Sequence, residues 1–151
     1  MPESESSARI YYSSTYCHGV DDKRRVQIPA KWRPPSEVEF TLILWPGKAG
    51  ACLLVLPPDR WAALVQKLEA MPFFEPKVES LRRWIGTNSY RATLDRAGRI
   101  CVPEEMAEAA GIADQAMLVG LVDRFQIWNP ARYREATDAD KLISSDALAL
   151  I

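Results

Sequence analysis

The stretch "DDKRRVQIP" at residues 21–29 is written again, in altered letters, as "DRAGRICVP" at residues 95–103. Both read Asp, three residues, Arg, three residues, Pro, with an aliphatic residue directly after the Arg and another directly before the Pro. Asp21, Arg25 and Pro29 recur as Asp95, Arg99 and Pro103 at a single offset of 74 positions. A self-match of this kind sets the unit of architecture and precedes the assignment of any single element. The match continues: each Pro is followed by a short helix-like piece, an apolar run ("EFTLILWP" and "QAMLVGLV"), a turn, a second apolar run ("ACLLVLP" and "RFQIWNP") and a helix opening with proline. In those helices Pro58, Arg60 and Trp61 stand opposite Pro130, Arg132 and Tyr133 at an offset of 72, so the copies differ by two residues in a loop. The sequence predicts two tandem copies of one unit.

Each unit begins with a strand, "IYYSSTYCHGV" or "NSYRATL", whose Tyr, Thr, Ser and Val suit a pleated, partly exposed surface. The Asp ends this strand, a tripeptide makes a tight turn, and the Arg starts a returning strand that Pro29 or Pro103 ends. Gly98 supplies the permissive residue of the second turn. "PEEMAEAAG" reads as a helix with acids at its start and Gly111 as its stop. From about Pro58 to Ala70, Trp61, Leu64, Val65 and Leu68 mark one apolar helix face. A second helix, "KVESLRRWIG", connects the copies, and Asn129 before Pro130 caps the last helix. The expected division is a disordered tail over 1–9, a first repeat over 10–75, a connecting helix over 76–86, a second repeat over 87–136 and a tail over 137–151. A lone hairpin leaves a sheet face and edges uncovered, so two copies are expected to pair about a pseudo-twofold axis. The fold class expected is α+β, with two repeats forming a pseudo-dimeric, β-barrel-like core flanked by helices.

At 151 residues and 48% hydrophobic, the chain is long and apolar enough for a buried core. No apolar run reaches the ~20 residues of a membrane span, and "MPESESSAR" has neither the basic nor the apolar region of a signal peptide. Cys17, Cys52 and Cys101 are odd in number and far apart, which argues against a disulfide framework or a zinc site and fits a reducing cytoplasm. With a formal net charge of -1, any nucleic-acid contact has to come from a local patch. Residues 21–33 are such a patch: Lys23, Arg24, Arg25, Lys31 and Arg33 outnumber Asp21 and Asp22. A hairpin tip enters a major groove as a two-stranded ribbon, and an arginine there donates two bonds to guanine O6 and N7 while its neighbours hold phosphates. The structural alternative is that Asp21 and Arg25 simply face each other across the turn.

Two copies of D-x-x-x-R-x-x-x-P, together with the closing "LVGLVDRFQIWNPARY", resemble the MraZ family of bacterial transcriptional regulators, with the swapped-hairpin fold of the AbrB group. The resemblance covers roughly residues 10 to 136. It implies a cytoplasmic, nucleoid-associated homo-oligomer, ring-shaped, that binds short guanine-rich repeats of double-stranded DNA upstream of its own gene, at the head of the division and cell-wall cluster, usually as a repressor. The family's DNA-contacting arginine corresponds to Arg25. Where the family has Lys-Gly-Arg this chain has Lys23, Arg24 and Arg25, so a side chain stands at a position that favours glycine.

The second copy is expected to be structural: Asp95, Arg96 and Arg99 precede a helix starting with Glu104 and Glu105, which would oppose a phosphate. His18 is the sole histidine, and its neighbour Cys17 points to the opposite face of a strand, so the two cannot form one nucleophilic site. His18 is read as a polar group near the basic hairpin, able to reach DNA, with a plain surface histidine as the alternative. No Gly-rich phosphate loop or paired acids suggest an enzyme, a cofactor, a metal or a small-molecule substrate. Trp45, Trp61, Trp84, Phe125 and Trp128 fall on apolar faces and are read as core or subunit contacts rather than base-stacking platforms. The competing functional class is an oligomeric protein-interaction scaffold in which the basic hairpin is incidental.

Overall fold

The computed structural model describes residues 9–138 and 144–151. Among these residues eight strands form two antiparallel sheets: β1 (Thr15–Gly19), β2 (Arg25–Gln27), β3 (Glu39–Trp45), β4 (Cys52–Leu56), β5 (Ser89–Thr93), β6 (Arg99–Cys101), β7 (Gln115–Gly120) and β8 (Phe125–Trp128). The helices are α1 (Pro58–Glu69), α2 (Pro76–Thr87), α3 (Glu104–Ala110), α4 (Pro130–Asp138) and the single turn α5 (Ser145–Leu148), and Ala30–Trp32 forms one 3-10 turn. The fold is thus mixed helix and antiparallel sheet. The expected tail over 1–9 lies, but for Arg9, outside the described residues, as do residues 139–143 of the C-terminal tail.

The larger sheet has the order β1-β7-β8-β4-β3-β5, and the smaller is the ribbon β2-β6. This corrects the barrel-like expectation: the six-stranded sheet is open, ending at β1 and β5. It also corrects the simple hairpin. The Asp–Arg turns form, with Arg24 N–H donating to Asp21 O at 3.0 Å and Gly98 N–H to Asp95 O at 2.9 Å. Beyond the turns the strands part, because β1 pairs with β7 and β5 with β3, each in the other half, while β2 and β6 pair with each other. Between β1 and β2 a single bridge, Val20 to Val26, remains.

The registers repeat as the sequence does. Thr15 faces Val119 as Ser89 faces Ile43, and Thr41 faces Leu56 as Met117 faces Trp128. At two places a residue faces its own counterpart, Val26 opposite Ile100 and Leu54 opposite Gln126.

Alternation along the strands separates two cores. One sheet face carries Phe40, Leu42, Leu53, Val55, Leu118, Phe125 and Ile127, all nearly inaccessible, and packs against Val26 and Ile100 of the ribbon, against Ile28 and Val102 just beyond its strands and against Ala107 and Ala110 of α3. Burying each large aliphatic chain stabilises by about 1.5–3 kcal/mol, so the ribbon is anchored from beneath. At its centre Trp32 packs edge-on to Tyr12 and Tyr16 and tilts against Phe125. The other face presents Ile43, Leu54 and Leu56 to Leu68 of α1 and Ile85 of α2, with Trp61 and Leu64 partly buried beside them. Trp45 and Trp84 stay substantially exposed, and Phe125 is wholly buried.

Helix ends follow local chemistry. Pro58 and Pro76 sit in the first turns of α1 and α2, and Glu75 accepts from Lys77 N–H at 3.2 Å as a side-chain cap. Asn129 caps α4 by accepting from Arg132 N–H at 3.0 Å. Gly111, at φ 68°, stops α3. None of the described helices is long and apolar enough to cross a membrane.

Candidate nucleic-acid interface

The ribbon β2-β6 is three residues wide on each strand, and its pleat sorts side chains by face. Val26 and Ile100 point into the core, fully buried. Arg25, Gln27, Arg99 and Cys101 therefore share the outer face. Arg25 lies opposite Cys101 and Arg99 opposite Gln27, which sets the two arginines on a diagonal.

Each arginine is held by the Asp of its own turn. Asp21 Oδ1 accepts from the backbone N–H groups of Lys23 (3.0 Å) and Arg25 (2.8 Å), and Oδ2 accepts from Arg25 Nε at 2.6 Å. Asp95 repeats this: Oδ1 accepts from Ala97 N–H (3.0 Å) and Arg99 N–H (2.9 Å), and Oδ2 from Arg99 Nε at 2.9 Å. Arg99 Nη1 also stands 3.7 Å from Asp21 Oδ2, which links the two motifs. Arg25 commits Nε alone, so its terminal nitrogens make no hydrogen bond among the described residues. The Asp–Arg pair and an arginine able to reach outward are thus one arrangement: the carboxylate fixes the guanidinium and leaves its fork open.

The Arg25 backbone N–H above all, then the Arg25 guanidinium and the Lys23 N–H, hold the Asp21 carboxyl below its ordinary value. The Arg99 backbone N–H first, then the Arg99 guanidinium and the Ala97 N–H, lower Asp95 in the same way, and the bond to Asp21 raises Arg25 above its ordinary value. A carboxylate whose pKa is depressed by folding contributes stability above its unfolded pKa and loses it as pH falls through the folded value. The melting temperatures of wild type and Asp21→Asn should therefore differ at neutral pH and converge below the ordinary carboxylate range. Thermal melts over an acid series check this.

The remaining expected residues surround the ribbon. Lys23, on the first turn, and Lys31, on the 3-10 turn, are exposed. His18 is half-buried and stacks parallel to Tyr16 with ring centroids 6.3 Å apart; its Nε2 has no partner among the described residues. Tyr16, His18, Gln27, Lys31 and Arg33 line one shallow hollow beside the ribbon. Arg24 takes φ 61° and donates from Nε to Val102 O at 3.0 Å. Arg33 donates from Nε to Ile28 O at 2.8 Å. Pro29 is buried at the end of β2, and Glu104 and Glu105 stand exposed in the first turn of α3.

Sequence reasoning separated Arg99 from Arg25, yet the structure brings them onto one face together with Gln27. The signal was available in the repeat itself. If Val26 and Ile100 are equivalent and both face inward, the residues flanking them face outward together. Burial pushes the Cys52 thiol up to about 12, so it is protonated at neutral pH. Among the described residues no group of three or more His, Cys, Asp or Glu could hold a metal ion.

Comparison with known proteins places the chain in a family. A family model described as an antitoxin-like MraZ protein matches residues 86–149. A protein of Coxiella burnetii (strain RSA 493 / Nine Mile phase I) is 33% identical over 134 residues, covering 85% of this chain and 88% of its own. One from Roseiflexus sp. (strain RS-1) is 32% identical over 137 residues, covering 89% and 94%, and one from Desulfitobacterium hafniense (strain Y51) is 34% identical over 132 residues, covering 85% and 90%. All three bear the name "Transcriptional regulator MraZ". With a third of its residues identical to such relatives over most of both lengths, the chain belongs to the MraZ family.

Proposed function

We propose that this chain is a sequence-specific DNA-binding regulator of transcription, built as two swapped-hairpin repeats (residues 10–75 and 87–136) joined by the helix over 76–86, and that the β2-β6 ribbon meets the DNA. The observation that carries the reading is the outer face of the ribbon, with two diagonal arginines each fixed through Nε by an aspartate. A two-stranded ribbon fits the major groove, and a fixed guanidinium fork matches guanine O6 and N7. Arg25 is the base reader. Lys23 and Lys31 hold phosphates on either side, and His18 and the outer atoms of Arg24 and Arg33 border the contact. Asp21 does not repel the backbone, because Arg25 and Arg99 both neutralise it.

The names of the relatives support a regulator. The operator is a set of short guanine-rich repeats upstream of the chain's own gene, at the head of the division and cell-wall cluster, and binding represses transcription in the cytoplasm at the nucleoid. One ribbon per subunit makes few contacts, so the protein acts as a homo-oligomeric ring in which several ribbons engage an array through effective concentration.

A mobility-shift titration on that upstream region, against shuffled DNA of equal composition, tests the reading. The upstream DNA shifts selectively, and log K falls linearly with log salt at a slope of about 0.9 per neutralised phosphate. Light scattering of the free protein gives a multiple of the 17.0 kDa subunit. A protein scaffold with an incidental basic hairpin would not discriminate the two DNAs, and that result would end the proposal.

A further inference from the structure

The two turns of the ribbon are clasped onto the opposite strand by matched bonds, with one exception. In the first turn Arg24 O accepts from Val102 N–H at 2.9 Å, and in the second Gly98 O accepts from Ile28 N–H at 2.9 Å. Lys23 O faces the Cys101 thiol at 3.4 Å as Ala97 O faces Gln27 Nε2 at 2.7 Å. Every donor and acceptor here has its counterpart 74 positions away. The last bond of each clasp does not. Val102 O is taken by the guanidinium of Arg24, which belongs to the turn itself, whereas its counterpart Ile28 O is taken by Arg33, from outside the turn.

Glycine explains the change of donor. Arg24 and Gly98 hold equivalent positions and both take positive φ, 61° and 78°. Gly98 has no side chain to close the second clasp, and Arg33 lies in the space one would fill. A Cβ built on Gly98 would meet Arg33 Nε in a severe clash and would stand 2.8 Å from its Cδ and 2.5 Å from its Cζ. Arg33 as it lies and a side chain at position 98 cannot share that space, so one of them must shift.

We propose that Arg24 and Arg33 are positioning residues that perform one task from two places. Each supplies the guanidinium that closes the clasp of one turn, Arg33 in substitution for the side chain that Gly98 lacks, and together they fix the turns from which Arg25 and Arg99 project. The consequence for DNA rests on the reading given above; the clasp itself does not.

The test is a double-mutant cycle. Beside Arg33, Gly98→Ala should lower the melting temperature through the left-handed strain and the displaced Arg33 guanidinium together, whereas in the Arg33→Ala background it adds the left-handed strain alone and the fall is smaller. In that background Gly98→Arg should melt above Gly98→Ala, because arginine closes the clasp on Ile28 O as Arg24 does on Val102 O. Equal falls in the two backgrounds, or a Gly98→Arg no more stable than Gly98→Ala in the Arg33→Ala background, overturns the proposal. Arg33→Ala carries no left-handed strain and folds, which allows a second measurement. Its affinity for the upstream DNA falls with the salt slope unchanged, and Gly98→Arg in that background restores the affinity. A slope lowered by about one instead marks Arg33 as a phosphate contact and overturns the positioning role. If wild type binds no DNA selectively, the DNA reading fails while the melting-temperature cycle still stands or falls by itself.

Discussion

Arg25→Ala should reduce affinity for the upstream repeats by roughly 10- to 100-fold at each ribbon, the scale of one lost bidentate base contact. The loss multiplies across an oligomer that engages several repeats at once, so the selective shift disappears. The fold survives. Asp21 keeps the backbone N–H groups of Lys23 and Arg25 as donors and Arg99 Nη1 as a neighbour, and an ion pair whose side chains are 31% and 30% open to solvent contributes little to stability. The melting temperature should stay within about 2 °C of wild type. Arg25→Lys separates charge from geometry: it retains most of the salt-dependent, non-selective binding and loses discrimination, since an ammonium cannot be held through one nitrogen while presenting a fork with two others. Arg99→Ala should weaken selective binding as well, because Arg99 shares the outer face and contacts Asp21. Anisotropy titrations of the three variants on upstream and shuffled DNA decide the matter. An Arg25→Ala protein that still binds its upstream DNA as wild type does would refute the interface.

Much of this arrangement is legible in the sequence because it is local. The Asp of each turn is followed at two and four residues by the N–H groups it accepts, and Pro29 and Pro103 end the strands that follow. The apolar spacing of Trp61, Leu64 and Leu68 finds its partners in Ile43, Leu54 and Leu56. Strand partners are another matter. Period-two alternation says which side chains share a face and nothing about which strand lies alongside, so the exchange of β1 onto β7 and β5 onto β3 has no local signature. The same holds for Arg33, whose place over Gly98 is set by a contact between residues far apart in the chain. Trp32 is hidden for a different reason. It lies on a three-residue 3-10 turn, too short for any periodicity, inside a stretch that reads as a basic patch, yet it is among the most deeply buried side chains.

Gly120→Ala should cost about 3 kcal/mol, at the upper end for overpacking, because the obstacle is backbone rather than a side chain that can turn away. Gly120 ends β7 where residues 12–14 cross it: its N–H donates to Ser14 O at 2.9 Å, and Tyr12 and Val122 exchange bonds of 2.8 and 3.0 Å. A Cβ at position 120 would collide with Tyr12 O and stand 2.6 Å from Tyr12 C and 2.9 Å from Ser13 N. Relief requires moving the 12–14 backbone outward, and Tyr12 moves with it. That ring is 4% exposed and lies 5.6 Å from Trp32 and 5.3 Å from Phe125, so its withdrawal opens the centre of the main core beneath the ribbon. At roughly 2–4 °C per kcal/mol for a chain of this size, the melting temperature should fall by about 10 °C. Gly86→Ala is the control, since a Cβ there meets nothing within 4 Å and the residue lies inside α2. It should raise stability by up to about 1 kcal/mol, the helix-propensity gain of alanine over glycine. Melts of both variants measure the contrast, and a Gly120→Ala protein as stable as wild type would show that the crossing yields at no cost and that Tyr12 is not fixed by it.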